Sequence, residues 1–182
     1  TGLARDHYDI GLRAFLSANY GAQEAFSQAV EADPNFSLAY LGLARSFMGS
    51  GKIEEAKRAL AKAKNELNVT TDREKSHFLC CELILSGQAQ KARAAVYKHV
   101  SEWPRDAMIA QMNTSVFGLI GFSGKAGREA DLLDYTGKLL PHYGDDWWMM
   151  SMHAISLCET GQSLESMQLM EKSLNLNPRN AN

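Results

Sequence analysis

Histidine, aspartate and cysteine side chains gather near the C-terminal end of the chain, and residues of these types bind metal ions. The members of the group are His142, Asp145, Asp146, His153 and Cys158. A helical zinc site needs two imidazoles four positions apart, and the two histidines here are not so spaced. A simpler interpretation makes Asp145 and Asp146 the N-terminal cap of a helix beginning at Trp147, and His153 a core residue. We therefore predict no metal site.

A glycine-rich segment with a lysine, from Gly118 to Gly127, has some features of a phosphate-binding loop. Such a loop needs G-x-x-x-x-G-K-[ST] after a strand. Leu119 stands at the first glycine position and Ala126 at the position of the metal-binding hydroxyl. We predict a turn between two helices instead. No nucleophile has a base at a recognisable spacing, so the sequence predicts no catalytic residue, no cofactor and no enzyme activity.

A helical spacing recurs along the whole chain. A small residue is followed, four and then three positions later, by two residues on the same helix face, with a turn five positions further on. The clearest copies are Ala22, Phe26, Ala29 and Pro34, then Ala56, Leu60, Ala63 and Asn68. Looser copies are Ala92, Val96, His99 and Pro104, then Ser166, Met170, Ser173 and Pro178, and another ends at Pro141. Because Ala22 and Ala56 are 34 positions apart, the chain has a repeat of about that length.

This period and internal spacing resemble the tetratricopeptide repeat (TPR) superfamily. The resemblance implies an all-α fold, a right-handed α-solenoid of about five helix-turn-helix repeats. Each repeat would pair a helix A with a helix B, and glycines such as Gly51, Gly87 and Gly161 would form the turns. We predict a single domain over residues 1–182, with approximate repeats 3–36, 37–70, 73–106, 107–143 and 147–180.

Composition narrows the functional class. The net charge is −2 and the pI is about 6.2, which argue against the general basic footprint of a nucleic-acid-binding protein. No apolar run approaches the roughly 20 residues of a membrane span. Three cysteines, two of them adjacent, form no disulfide framework and predict a reducing, cytoplasmic compartment. We expect neither a nucleic acid nor a membrane as partner.

A partner would bind where the A helices line the concave surface of such an array. The second, fifth, ninth and twelfth positions of a repeat point into this groove in TPR folds. The residues that we select there, or directly beside it, are Arg45, Glu74, His77, Trp148 and Met152. A mixed strip of apolar and polar groups suits a peptide segment. The alternative is that these positions pack against further helices of the same array.

Several stretches are more specifically similar to the tetratricopeptide repeat protein 38-like family, found in bacteria and eukaryotes. They are Asp33-Pro34-Asn35-Phe36, Thr71-Asp72-Arg73-Glu74-Lys75-Ser76-His77, Trp103-Pro104-Arg105-Asp106, Tyr143-Gly144-Asp145-Asp146-Trp147-Trp148 and Asn177-Pro178-Arg179-Asn180-Ala181. The chain resembles the N-terminal half of these proteins. The resemblance draws attention to Glu74 as a charge at a helix N-terminus and to His77 in the groove.

The sequence thus predicts a non-enzymatic scaffold that binds a peptide or protein segment in its concave groove. Two alternatives stay open. One is a structural TPR module that self-associates through exposed end repeats, as a homo-oligomer. The other is a helical small-ligand binder or enzyme.

Overall fold

The structure, a computed structural model, describes residues 1–66 and 70–182. This part of the chain contains ten α-helices and no strand. The helices are α1 (Gly2–Leu16), α2 (Ala22–Ala32), α3 (Ser37–Gly49), α4 (Ile53–Asn65), α5 (Asp72–Leu85), α6 (Ala89–Glu102), α7 (Ala107–Ala110), α8 (Arg128–Tyr143), α9 (Trp147–Glu159) and α10 (Ser163–Leu176). The predicted all-α fold of helical repeats is confirmed. Asn68, which ends the second copy of the sequence pattern, lies outside the described residues.

The chain divides into two compact units, unit 1 (Thr1–Ala95) and unit 2 (Val96–Asn182). No observation tests the predicted single domain and its repeat boundaries, which stay predictions. In unit 1, α1 packs on α2, α3 packs on α4, and α5 packs on both α3 and α4. In unit 2, α9 packs on α8 and on α10.

The core of unit 1 is built around Phe26 on α2, whose side chain is completely buried. Its ring lies against the backbone of α1 at Gly11 and of α3 at Gly42. A Cβ atom at Gly11 would stand 2.8 Å from the ring, and one at Gly42 would stand 2.7 Å from it. Three helices therefore meet at one aromatic side chain because two of them offer no side chain there.

Small residues bring the paired helices close together, as the repeat pattern predicts. Ala56 and Ala63 on α4 are completely buried, and the Ser37 hydroxyl of α3 donates to the Ala63 carbonyl at 3.3 Å. In unit 2 the serines of α10 have the same role. Ser166 donates to the Ala154 carbonyl at 2.7 Å, and Ser173 donates to a carbonyl of α9 at 2.6 Å.

The predicted turns and caps are largely confirmed. Gly51, Gly87 and Gly161 have φ of +74°, +73° and +82°, the left-handed conformation that favours glycine after a helix. The Asp146 side chain caps α9 by accepting from the Met149 N–H at 3.0 Å. Asp146 is thus a helix cap, as predicted.

The first helix of the fourth repeat is much shorter than the pattern predicts. Helix α7 has four residues and continues only as a 3-10 turn, Gln111–Asn113. The Thr114 hydroxyl then bonds the Gln111 carbonyl at 3.0 Å, and Ser115 adopts φ of +63°. Side-chain bonds of this kind compete with helix formation, so the chain leaves the helix at this point.

Pro141 does not end its helix, and that prediction is wrong. Helix α8 continues through Pro141 to Tyr143, and Gly144 follows with φ of +61°. A proline in the last turn removes one backbone donor but leaves the preceding turns intact, so the helix tolerates it here.

Candidate functional site

Arg45 is the predicted site residue with the most informative surroundings. It lies on α3, is half-buried, and its guanidinium carbon stands 5.5 Å from the centre of the Phe15 ring of α1. That distance allows a cation–π contact. Burial lowers the pKa of the Arg45 guanidinium, while Cys81 and Cys80 act in the opposite direction. Arg45 therefore interacts with both α1 and α5.

Glu74 has a local role at the start of α5. Its carboxylate accepts from the Thr71 N–H at 2.7 Å and from the Thr71 hydroxyl at 2.8 Å. The Glu74 N–H in turn donates to the Thr71 hydroxyl at 3.3 Å, which completes a capping box. The expectation that Glu74 supplies a charge at a helix N-terminus is confirmed. Its place in a partner-binding groove stays a prediction.

The other three predicted site residues are deeply buried. His77 is 1% exposed, Trp148 is 1% exposed and Met152 is 2% exposed. His77 belongs to unit 1, together with Arg45 and Glu74, whereas Trp148 and Met152 belong to unit 2. Each of the two groups is therefore considered within its own unit. Side chains buried this deeply stabilise the helix packing of their own unit more readily than they contact a ligand.

Trp148 packs at the start of α9 against Tyr143, with 5.7 Å between the ring centres. Burial raises the pKa of the Tyr143 phenol far above its usual value, and the Asp106 and Asp146 carboxylates act in the same direction. The phenol therefore stays protonated at any ordinary pH. This surface of α9 is a packed aromatic wall.

A polar seam between α8 and α9 has no local signal in the sequence. The Thr136 hydroxyl lies 2.9 Å from the His153 Nδ1 and donates to the Ser156 hydroxyl at 3.1 Å. Burial lowers the pKa of His153, so the imidazole is neutral at neutral pH. The positions of Thr136 and His153 in the chain give no sign of this contact, because the two residues meet only when the helices pack.

A second buried polar contact closes the turn that follows α6. The His99 Nε2 lies 3.2 Å from an Asp106 carboxylate oxygen, and the side chains are 0% and 6% exposed. The Trp103 ring packs on the imidazole, with 5.1 Å between the ring centres. His99 is completely buried, and its imidazole joins the end of α6 to the residue that precedes α7.

The metal hypothesis gains no support from the described residues, where no three histidine, cysteine, aspartate or glutamate side chains converge on one point. In the same part of the chain, no helix is both long and apolar enough to span a bilayer.

A tetratricopeptide repeat model matches residues 21–70. These residues include α2, α3 and α4. No curated protein matches the chain significantly. The model match agrees with the clearest copies of the sequence pattern, and the tetratricopeptide repeat is generally a protein-interaction module without catalytic activity.

Two solved structures are similar to the chain. One is described as "YrrB: a TPR protein with an unusual peptide-binding site", with 14% identity and a TM-score of 0.47 over 94% of this chain and 85% of that one. The other is MamA protein, with 18% identity and a TM-score of 0.43 over 98% of this chain and 94% of that one.

Proposed function

We propose that this chain is a non-enzymatic scaffold that binds a peptide or protein segment on the surface formed by its A helices. The observation that carries the proposal is the position of Arg45. Arg45 is half-buried on α3, and its guanidinium is held over the Phe15 ring of α1 and influenced by the thiols of α5. An arginine held in this way is preorganised to recognise a carboxylate or a backbone carbonyl.

The other predicted site residues support this surface in different ways. Glu74 fixes the start of α5, and His77 is buried on the same helix. In unit 2, Trp148 and Met152 form the corresponding wall of α9. We propose that Arg45 touches the partner directly and that Glu74 and His77 hold α5 beside it in unit 1. Trp148 and Met152 would hold α9 within unit 2.

We also propose that the chain is related to the tetratricopeptide repeat protein 38-like family and lies in the cytoplasm. Similarity to the tetratricopeptide repeat protein 38-like family rests on the Arg73-to-His77 and Asp145-to-Trp148 stretches. A cytoplasmic location agrees with three cysteines that form no disulfide. The net charge of −2 favours a protein partner over a nucleic acid.

The test is selection of peptides from a random phage-displayed library on the immobilised chain, followed by fluorescence anisotropy with the selected peptides. Arg45→Gln should weaken binding by about tenfold or more, because it removes a charge-assisted contact. Arg58→Gln is the matched control, since the Arg58 side chain is 74% exposed on α4. Circular dichroism should show unchanged helicity in both variants. If no peptide is selected, or if Arg45→Gln binds the selected peptides as the wild type does, the proposal is wrong.

We infer a second candidate function, self-association, from a different surface. The outer side of α10 exposes large apolar side chains, among them Leu164 at 61% and Met167 at 55%. A cluster of exposed apolar residues on a folded unit commonly marks an interface. Sedimentation equilibrium over a wide range of concentration tests this function, and a strict monomer throughout would contradict it.

A further inference from the structure

The segment 114–121 forms a loop, although its sequence stays in phase with the A helices of the other repeats. Counted from the repeat starts 37, 73, 107 and 147, the eighth position is small in each repeat: Ala44, Cys80, Thr114 and Ala154. The eleventh position is large and apolar: Phe47, Leu83, Phe117 and Leu157. The fifteenth is always glycine: Gly51, Gly87, Gly121 and Gly161. The fourth repeat therefore has the sequence of an A helix that runs past Asn113, with Gly121 at its turn.

The structure departs from this phase directly after Asn113. The 3-10 turn that extends α7 ends at Asn113, and Ser115 has φ of +63°. The turn glycines of the other three repeats all have positive φ, whereas Gly121 does not. The turn is therefore not formed at the position where the repeat places it.

The loop conformation is costly in three respects. The Asn113 side chain is 0% exposed, and among the described residues neither its Nδ2 nor its Oδ1 has a hydrogen-bond partner. A buried polar group without a partner is destabilising. Ser115 has a left-handed backbone without being glycine, and the Phe117 ring is 79% exposed. These costs narrow the free-energy gap between the loop and a helical conformation of the same segment.

The loop lies where the missing helical turns would lie. Val116 and Gly121 line a small pocket of about 40 Å³ together with Leu132 of α8 and Glu159 of α9. In unit 1, the A helix α3 packs on its own helix B, α4, and on the next A helix, α5. The segment thus lies beside the two helices, α8 and α9, that a longer α7 would contact.

We propose that 114–121 is a switch segment, which converts from the loop described above to about two further turns of α7 that end near Leu119. In the helical form, Phe117 takes the position in its repeat that Phe47 has in α3. A Cβ atom at Gly118 would stand 2.9 Å from the Asn113 carbonyl carbon, so the loop backbone covers Asn113. The helical form removes this cover and lets solvent reach the amide.

The switch segment gives unit 2 two forms of its A-helix surface. In the loop form, the A helix that precedes α9 has only four residues. In the helical form, it has the length of α3, which has 13 residues. A partner that contacts the added turns binds only the helical form and raises its population. The inference depends neither on peptide binding near Arg45 nor on self-association.

The test substitutes Ser115 in two opposite ways. Ser115→Gly tolerates the positive φ and disfavours a helix, whereas Ser115→Ala opposes the positive φ and favours a helix. The ratio of helical to loop form should differ between these variants by roughly ten- to a hundredfold. The Cα chemical shifts of residues 114–119, measured by NMR, report which form is populated.

A double variant, Thr114→Ala with Ser115→Ala, should shift the equilibrium further. It removes the hydroxyl that bonds the Gln111 carbonyl at 3.0 Å and places at the eighth position the alanine that α3 and α9 have there. Its Cα shifts across 114–119 should become helical. Ser123→Ala is the matched control, because Ser123 lies in the same loop beyond the proposed helix and accepts from the Lys125 N–H at 3.4 Å. This control should keep the wild-type shifts.

Relaxation dispersion gives a second measurement on the unmodified chain. Residues of the switch segment should show exchange between two forms in the wild type, and Ser115→Gly should suppress it because it stabilises the loop. A thermal melt followed by circular dichroism establishes that each variant is folded.

Each outcome decides the matter. A folded double variant whose shifts across 114–119 match those of the wild type overturns the proposal. If the double variant does not fold, relaxation dispersion decides instead. Exchange that Ser115→Gly suppresses then supports the switch, whereas exchange that is absent from the wild type or persists in Ser115→Gly contradicts it.

Discussion

Two regions of the molecule match the same sequence repeat but differ in structure. They are the α3–α4 pair of unit 1 and the segment from α7 to α8 of unit 2. In the first, two helices of 13 residues each join through a short glycine turn. In the second, the first helix stops after four residues and a glycine-rich loop takes its place. In the regular pair, Gly42 leaves room for the Phe26 ring. In the irregular segment, Gly118 leaves room for the backbone at Thr114. Glycine count alone therefore does not distinguish a packed helix from a loop.

The largest effect should come from the aromatic residue at the centre of unit 1. Phe26→Ala should lower the free energy of unfolding by about 3–5 kcal/mol, because it leaves a cavity between α1, α2 and α3. Phe122→Ser in the irregular segment should change the stability of the monomer by less than about 0.5 kcal/mol, since that ring is mostly exposed. Urea denaturation followed by circular dichroism measures both. Similar losses in the two variants would contradict the contrast between the buried Phe26 ring and the exposed Phe122 ring.

Replacing a glycine by alanine should lower the stability of the protein in one region and raise it in the other. Gly118→Ala should destabilise the protein by about 1–3 kcal/mol, because the new methyl group meets a backbone carbonyl that has no room to move. Gly49→Ala near the end of α3 meets nothing within 4 Å and should stabilise by up to about 1 kcal/mol. Thermal melts of the two variants check the prediction, and a destabilised Gly49→Ala would show that its surroundings are misjudged.

The cap of α9 should matter as much as a cap in a regular repeat. Asp146→Ala removes the acceptor of the Met149 N–H and should cost about 0.5–2 kcal/mol. Asp146→Asn, which keeps an acceptor, should recover most of that loss. Asp145→Ala is the control, because Asp145 is exposed and pairs with Lys172 at the surface. Equal losses for Asp145→Ala and Asp146→Ala in urea denaturation would contradict the assignment.

The smallest effect concerns the polar seam between α8 and α9, which contrasts with the apolar contact around Phe26. Burial holds the pKa of His153 below its unfolded value of 6.5, so the unfolded chain takes up a proton first as the pH falls. Stability should therefore decline as the pH falls below about 6.5, and His153→Gln should remove that part of the decline. The measurement is the difference in unfolding free energy between wild type and variant at pH 7.5 and pH 5.5. A pH-independent difference would rule out this titration.

The sequence predicts most of the regular architecture because its signals are local. Helix periodicity, the glycines at the turns and the cap at Asp146 depend on residues a few positions apart. The buried position of His99 follows from the same repeat spacing. None of these predictions requires knowledge of how distant helices meet.

The remaining features depend on contacts that are distant along the chain. Nothing near Phe26 in the sequence indicates that Gly11 and Gly42 will enclose it. The seam between Thr136 and His153 forms only when two helices pack. The early end of α7 depends on the Thr114 side chain and on the tight backbone at Gly118. The repeat pattern includes neither of these features. Of the five predicted site residues, spacing selected the helix faces but could not show that three of them are buried.

The hydrogen bond from the Leu119 N–H to the Met112 carbonyl should slow amide hydrogen exchange in the loop before α8. A long glycine-rich connection normally exchanges its amide hydrogens quickly and is cut early by proteases. Here the Leu119 amide is bonded and the neighbouring Ile120 side chain is buried, so deuterium should enter this loop slowly. Hydrogen–deuterium exchange should accordingly show slower uptake at Leu119 than at the exposed chain ends.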